Sequence, residues 1–517
     1  MKMYKILSAS LALLLGWSGT AFAQNEVDAL RYTRLGLSGT ARIQGIGGAQ
    51  TALGADISSM TANPAGLGMF RRSEFSITPG LQFSTTEAGI NGATTSDARN
   101  ILAIPQAGLV LSRHKGDEEE GDWRGSSLGI SFTRLNNFNQ QLNYRNTTQP
   151  PNTIVDYFSD RAFGRTQSDL DAEYGNFTTL EGLAYGNYLI NFQDENGTVT
   201  PDARPLYSLG DIDQQEQIQR IGSQSQFDIG IGTSYKDKIY LGASLGVITT
   251  NFTQKSTFLE SGHYIDTFNE DGSIALEGDY NLDLYDEFTS EAAGVNLRVG
   301  VIARPVDALR IGLSIQTPTA YTFTDRYQTT LNSTSVDPDT KSPANYSSSI
   351  VPGEFTYQLT TPFRANGGVA VFLNKYGFIS ADVEFVDYSK TRFHEQQDEY
   401  GNSGNYFNDV NDVIAVTYKS AVNYKIGAEG RYDVFRFRAG YSVSGDPYRN
   451  ANFDGKVNTY SLGAGIRLKN YYLDAAYVNS TGDSRYSPYT FSSGGGEPVV
   501  DLNQKQSSVL VTFGYNF

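Results

Sequence analysis

From Ser73 to Phe517 the chain alternates apolar with polar residues, segment after segment. A period of two belongs to β-strands with two unlike faces. In the last segment Val509, Val511, Phe513, Tyr515 and Phe517 share one face, and Leu510, Thr512, Gly514 and Asn516 the other. Phe227, Ile229, Ile231 and Tyr235 likewise oppose Asp228, Gly230, Gly232 and Ser234, and Leu309, Ile311, Leu313 and Ile315 oppose Arg310, Gly312, Ser314 and Gln316. The second face is small, polar or charged. A soluble sandwich also alternates, so alternation alone does not separate it from a membrane barrel whose apolar face meets lipid.

Three further features favour the barrel. Met1 to Ala23 carries Lys2 and Lys5, an apolar stretch from Ile6 to Trp17 and the small-residue exit Ala21-Phe22-Ala23, which reads as a signal peptide. No apolar run elsewhere approaches the roughly 20 residues of a spanning helix. Residue 24 is Gln, not the cysteine of a lipid-anchored exported protein. The links between strands also alternate in length, as expected when tight turns line the periplasmic rim and long loops the outer one, although one turn, His114 to Arg124, breaks the rule by being long and acidic.

Candidate strands fall near 73–86, 102–113, 125–141, 222–236, 238–256, 287–304, 307–325, 351–373, 376–394, 414–429, 433–445, 457–468, 471–481 and 505–517. That pattern predicts an all-β, antiparallel transmembrane barrel of about fourteen strands. The long excursions are 142–221, 257–286, 326–350, 395–413, 446–456 and 482–504. In the largest, Ser168 to Asn187 and Asp211 to Ile221 read as helical, and Tyr157, Phe158, Phe163, Tyr174, Phe177, Leu180, Leu183, Tyr185, Tyr188 and Leu189 either form a greasy outer surface or pack the loop's own core. The aromatic excess of 33 Tyr and 29 Phe over 2 Trp suits girdles at two lipid–water boundaries. A net charge of −16 argues against nucleic acid as a partner.

Chemistry is sparse. The chain has no cysteine and only three histidines, His114, His263 and His394, with no metal-site spacing. We assign no catalytic residue and expect no cofactor or metal. On the inward phase lie Arg298, Arg310, Arg364, Lys419, Lys425, Arg436, Arg438 and Arg467, with Asp228, Asp382, Glu384, Glu429 and Asp474. Most are expected to pair across the lumen. Arg364, Arg436 and Arg438 are the candidates for contact with a ligand carboxylate, because an unpaired charge in a water-poor site is costly.

Gln24 to Arg72 departs from the strand pattern. It is rich in Gly, Ala and Ser, runs Gly45-Ile46-Gly47-Gly48-Ala49, and continues through Asp56 to Asn63-Pro64-Ala65-Gly66-Leu67. Asp56 can cap a short helix that Pro64 ends, and the whole suits a compact plug within a wide barrel. Taken alone, Asn-Pro-Ala is an Asx-type turn.

This segment, with Asp56, the Asn63–Leu67 run, terminal Phe517, Leu309 to Pro318 and Pro362 to Tyr388, resembles the FadL/OMPP1/TodX family of outer-membrane transporters for long-chain fatty acids and other hydrophobic compounds. The resemblance covers nearly the whole mature chain. It implies a barrel at 73–517 plugged by a mostly helical hatch at 24–72, in which Asn63, Pro64 and Ala65 form the hatch motif. A hydrophobic ligand would be caught by outer loops, held inside and released sideways through the wall, without ATP. It also implies that Phe517 is read by the barrel-assembly machinery. The expected partners are outer-membrane lipids and the ligand, and the barrel is expected to be a monomer. A small-solute porin and a scaffold in a secretion system remain alternatives.

Overall fold

The computed structural model describes residues 26–517, apart from 117–118, 193, 196–197, 200–203, 206, 269–273, 337–341 and 397–405. The segment read as a signal peptide lies outside the described residues.

Fourteen antiparallel strands close into one barrel. They are β1 Glu74–Ile90, β2 Ala93–His114, β3 Trp123–Asn137 continued by Gln140–Thr148, β4 Tyr207–Tyr235, β5 Ile239–Phe268, β6 Ile274–Val306, and β7 Leu309–Gln316 continued by Ala320–Val336. Next come β8 as Pro343–Ser349, Gly353–Thr360 and Arg364–Phe372, β9 as Gly377–Asp387 and Arg392–Glu395, and β10 Ser420–Tyr432. β11 Phe435–Ser444, β12 Val457–Arg467, β13 Tyr471–Tyr486 and β14 Val500–Asn516 complete the wall. β14 closes it by pairing with β1, Phe75 opposite Tyr515 and Ile77 opposite Phe513.

The outer face separates membrane from water. On β6, Val295, Leu297 and Val299 are exposed side chains in a span of roughly ten residues, which is what a tilted strand needs to cross the hydrocarbon. Above them the same face carries Glu291 and Glu287, ion-paired to Arg326 at 3.1 Å and Lys255 at 2.9 Å. β6 has 33 residues, a contour of about 110 Å. Much of this wall therefore stands above the bilayer as a polar collar. No helix among the described residues is long and apolar enough to cross a membrane.

Several expected boundaries are corrected. Residues 87–101 do not form a link; β1 and β2 run on to a tight turn at Asn91-Gly92, where both residues take positive φ. Asp211 to Ile221 is strand, not helix, because its alternation continues that of β4: Ile212, Gln214, Glu216 and Ile218 point inward and are buried. The largest loop therefore shrinks to 149–206, with α4 Ile154–Ala162, α5 Gln167–Asp171 and α6 Leu180–Gly186. Residues 408–417, the first of them in a predicted loop and 414–417 in a predicted strand, form the helix α7 Asn408–Thr417.

Inside the barrel sit α1 Glu26–Thr33, α2 Ala41–Gly45, α3 Ser59–Ala62 and a 3₁₀ helix, Pro64–Met69. Asp56 does not cap α3 directly. Its carboxylate accepts from Ser58 N at 3.0 Å and Thr40 Oγ1 at 3.0 Å, fixing the turn that leads in.

Candidate functional site

The hatch touches the wall through glycines. A methyl group at Gly242 would overlap Pro64, at Gly300 Asn63, at Gly312 Thr51, at Gly427 Ile46 and at Gly440 Gly47. Gly232, Gly242 and Gly300 are cross-strand neighbours in one row. At these glycines the wall carries no side chain, so hatch backbone, and at Gly300 the Asn63 amide, packs directly on the strand backbone.

Polar anchors complete the seat. Asn63 Nδ2 donates to Thr51 O at 2.7 Å and to Val301 O at 3.2 Å, while its Oδ1 accepts from Ala65 N at 3.2 Å and caps the 3₁₀ helix. Pro64 opens that helix, where its missing N–H loses nothing. Asp382 accepts from Gln50 N at 2.7 Å and Thr51 N at 2.8 Å. Arg298 donates to Met60 O at 3.0 Å, Arg310 to Leu53 O at 2.6 Å, and Ser314 to Ala62 O at 2.6 Å. Inward charges thus hold hatch main chain as well as pairing with one another.

The three arginines expected to meet a carboxylate lie apart. Arg438 is fully buried between Glu429 and Asp474, each at 2.8 Å, and Arg467 shares Asp474 at 2.9 Å. Arg364 pairs with Glu384 at 2.9 Å and donates to Thr33 O at the end of α1. Arg436 lies at the turn below, donating to Asp433 O at 2.6 Å. Two cations missed in the sequence come from the hatch itself. Arg42 sits 3.7 Å from both Asp56 and Glu429; burial alone would lower its pKa, but Glu429, Asp56 and Asp474 reverse that and raise it. Arg31 pairs with Asp28 and covers the Phe252 ring at 4.1 Å.

Above the hatch is an aromatic chamber. Tyr32 of α1 packs on Phe323 with ring centres 4.6 Å apart, and Phe323 stacks on Tyr357 at 5.3 Å. Phe138, Phe252, Phe288, Phe393 and Phe407 continue the lining. α1 stands in this chamber as its occupant, with Glu26 O accepting from Tyr418 at 2.9 Å beneath α7. A helical lid covers the outer end. Phe158, Phe177, Leu183 and Leu189 pack with Tyr489 and Phe491 into a core shared with Ile212, Phe258, Tyr280 and Leu331 of the wall, whereas Phe163, Tyr174 and Tyr188 stay exposed. Glu260 of β5 accepts from Ile154 N at 2.9 Å, tying the start of α4 to the wall.

The ladder between β2 and β3 is interrupted beside this chamber. The β2–β3 ladder runs from His114↔Gly125 to Gln106↔Thr133 and stops there. Above that point β2 pairs with β1 alone, and β3 with β4 alone. β3 is bulged between Arg134 and Asn136 and breaks again at 138–139. Among the described residues the hydrogen bonds that cross the seam run from side chains: Asn137 to Gln82, Gln140 to Thr86 at 3.2 Å, Asn91 to Asn146 at 2.7 Å, and Thr95 Oγ1 to Asn143 O. Leu102 and Ile104, exposed at 75% and 46%, place its lower end in the apolar band. Leu135 and Phe138 belong both to the seam strand and to the chamber. The hatch reaches the same spot, with Gly36 N donating to Asn136 Oδ1 at 2.8 Å and Asn136 Nδ2 to Arg34 O at 2.8 Å.

A closed barrel with an apolar belt, a seated plug and an aromatic chamber beside a lateral seam defines the class: a plugged, fourteen-stranded outer-membrane β-barrel. No family model and no curated protein sequence matches the chain. Among solved structures it is similar to a FadL homologue from Pseudomonas aeruginosa, at 13% identity and a TM-score of 0.56 over 94% of this chain and 100% of that one. Similar too are the toluene transporters TbuX of Ralstonia pickettii, at 16% identity and TM-score 0.48 over 92% of this chain and 98% of that one, and TodX of Pseudomonas putida, at 14% and 0.49 over 93% and 99%. The fold is the FadL type, fixed by the first of these.

Proposed function

We propose that this chain is a passive outer-membrane channel for hydrophobic compounds, long-chain fatty acids among them, with the aromatic chamber as internal site and the β2–β3 seam as lateral exit. The observation that carries this reading is the sharing of Leu135 and Phe138 between chamber and seam. A ligand leaving the chamber there passes from aromatic side chains to lipid without crossing a hydrogen-bonded ladder. In this reading Asn63, Pro64 and Ala65 hold the hatch on its glycine seat, and the exposed Phe163, Tyr174 and Tyr188 meet the ligand first. The solved FadL homologue and the toluene transporters support hydrophobic cargo by likeness of fold.

The test exploits the absence of cysteine from the sequence. A Gln82→Cys/Asn137→Cys pair, bridged by a short bifunctional methanethiosulfonate that reduction cleaves, closes the seam; a Thr459→Cys/Ser480→Cys pair, whose hydroxyls lie 2.8 Å apart across an intact ladder, is the control. Uptake of labelled oleate and of toluene is expected to stop in the first, recover on reduction, and continue in the second. Undiminished uptake through the locked seam would remove the lateral exit from the reading.

A further inference from the structure

The outer wall bears a groove of about 790 Å³ low on β2 to β5. Its floor is one cross-strand row, Leu111–Leu128–Ile231–Ala243, in perfect register. Ala243 is the small member, and beneath it the wall is only the backbone of Gly232 and Gly242 against the hatch. The next row toward the periplasmic turn is Arg113–Ser126–Thr233–Leu241, so the chemistry changes from apolar to cationic within two residues of strand.

Arg113 and Ser126 point outward and are exposed. No described residue accepts a hydrogen bond from the Arg113 guanidinium or forms an ion pair with it. Ser73 Oγ accepts from Ser112 N at 3.2 Å, which brings the preceding Arg71 beside the same rim; its side chain is 70% exposed. Of the described acids at this rim, Asp237 is occupied by Ser234 at 2.6 Å and His114 at 3.1 Å and lies 3.9 Å from Arg71, Asp122 accepts from Tyr235 at 2.9 Å and pairs with Lys236 at 3.4 Å, and Glu119 accepts from Gly116 N at 3.1 Å within the β2–β3 turn.

We propose that this groove is a binding site for one anionic phospholipid of the periplasmic leaflet, with an acyl chain along the Leu111–Ala243 row and the phosphate against Arg113 and Arg71. The floor lies in the apolar belt, where acyl chains are the only cover available. The cations lie at headgroup depth on the periplasmic side, and an exposed guanidinium recognises phosphate bidentately. A groove of this size falls in the range of specific ligand sites. Because its floor is the back of the hatch seat, a lipid held there braces the wall at Gly232 and Gly242.

The experiment is native mass spectrometry of the intact, delipidated barrel titrated with phosphatidylglycerol, phosphatidylcholine or inorganic phosphate. Assembly is checked by the heat-modifiable band. Wild type is expected to retain one phosphatidylglycerol, favoured over phosphatidylcholine by about tenfold, because the choline cation of the second lipid cancels the net charge of its phosphate and is repelled by the two arginines. Arg113→Ala is expected to lose that preference, and Ala243→Phe, which fills the floor, to lose both lipids. Equal retention of the two lipids by wild type, or unchanged phosphatidylglycerol binding in Arg113→Ala, overturns the proposal, as does displacement by millimolar phosphate alone. If Ala243→Phe fails to assemble, Arg113→Ala decides the matter.

Discussion

Replacing Gly300 with Ala is expected to unseat the hatch while leaving the barrel closed. An added Cβ there overlaps Asn63 Oδ1 and comes within 2.9 Å of its Cγ, so the amide must swing out of its pocket. Three hydrogen bonds go with it: the two from Nδ2 to Thr51 O and Val301 O, and the one that Oδ1 accepts from Ala65 N. At about 1 kcal/mol each, the hatch loses roughly 3 kcal/mol of docking, or about a hundredfold in its opening equilibrium. The wall loses little, because the Gly300 ladder partners, Gly242 and Ser314, keep their backbone bonds. Hydrogen exchange of residues 40–70 read by mass spectrometry should show the faster opening, with β5 to β7 unchanged. The double variant Asn63→Ala/Gly300→Ala sharpens the test. Asn63→Ala removes the atom that clashes, so the second substitution should add almost nothing, a coupling of about the full 3 kcal/mol. Additive losses, or unchanged protection in Gly300→Ala, would refute the idea that the glycine row exists to seat this side chain.

Arg438→Met takes one partner each from the buried Glu429 and Asp474 and leaves them to Arg431 at 2.8 Å and Arg467 at 2.9 Å, so it is expected to destabilise the barrel by about 1.5–3 kcal/mol, seen as a lower temperature for loss of the compact band on a gel. Deleting Phe517, whose N–H closes the barrel onto Ser73 O at 2.9 Å and whose ring stacks on Tyr515, should reduce outer-membrane levels; normal levels in a fractionation blot would show it dispensable. The lid should loosen in acid. Burial pushes the Glu173 carboxyl up, but Arg165 at 2.7 Å and the Thr178 N–H pull it below the ordinary range, so its stabilisation is complete above roughly pH 4.3 and fades as pH falls through the depressed value. Proteolysis of residues 154–186 is expected to be faster near pH 3 than at pH 7, and more nearly equal in Glu173→Gln.

The strands were legible because lipid imposes a strict rule on their outer face. Ile229, Ile231, Leu313 and Ile315 read as outward in sequence, and their side chains are exposed at 49–61%. Strand ends were less legible. Above the membrane that rule lapses, and at Gln215, Gln217 and Gln219 only the inward phase still shows that β4 continues. The seam left almost no trace, since a missing ladder is a relation between two strands and not a property of either. Phe138 and the Asn136-Asn137 pair are its nearest signals. Lys419 falls in the link before β10, where it pairs with Asp446; the partners of inward charges within the strands could not be read, because Arg298, Arg310 and Asp382 bind the hatch main chain, which offers the same amide at every residue. The glycines spoke more clearly than they were read: Gly232, Gly242, Gly300 and Gly312 are where a strand interior is weakened to admit another backbone.

Seat and seam together suggest which part of the plug has freedom to move. Residues from Ala41 to Met69 are held by glycine rows and by Asp382, Arg298 and Arg310. α1 and residues 34–36 are held differently, by Tyr32, Leu30 and Ala29 in the chamber and by two bonds to Asn136 at the seam. An eight-residue helix has little stability of its own. Its position depends on burying Leu30 and Tyr32, about 1.5–3 kcal/mol for each side chain. In the proposed reading an apolar ligand entering the chamber offers those aromatic walls the same burial, which offsets the loss of α1 packing and leaves the bonds from Tyr418, Gln224 and Arg364 to the α1 main chain as the cost of displacing it. Release of α1 then frees Arg34 and Gly36 from Asn136, at the point where β3 has already left β2. Opening the exit therefore requires no movement of the Asn63 seat. In the proposed reading the Asn63 motif stays seated while the segment before it yields.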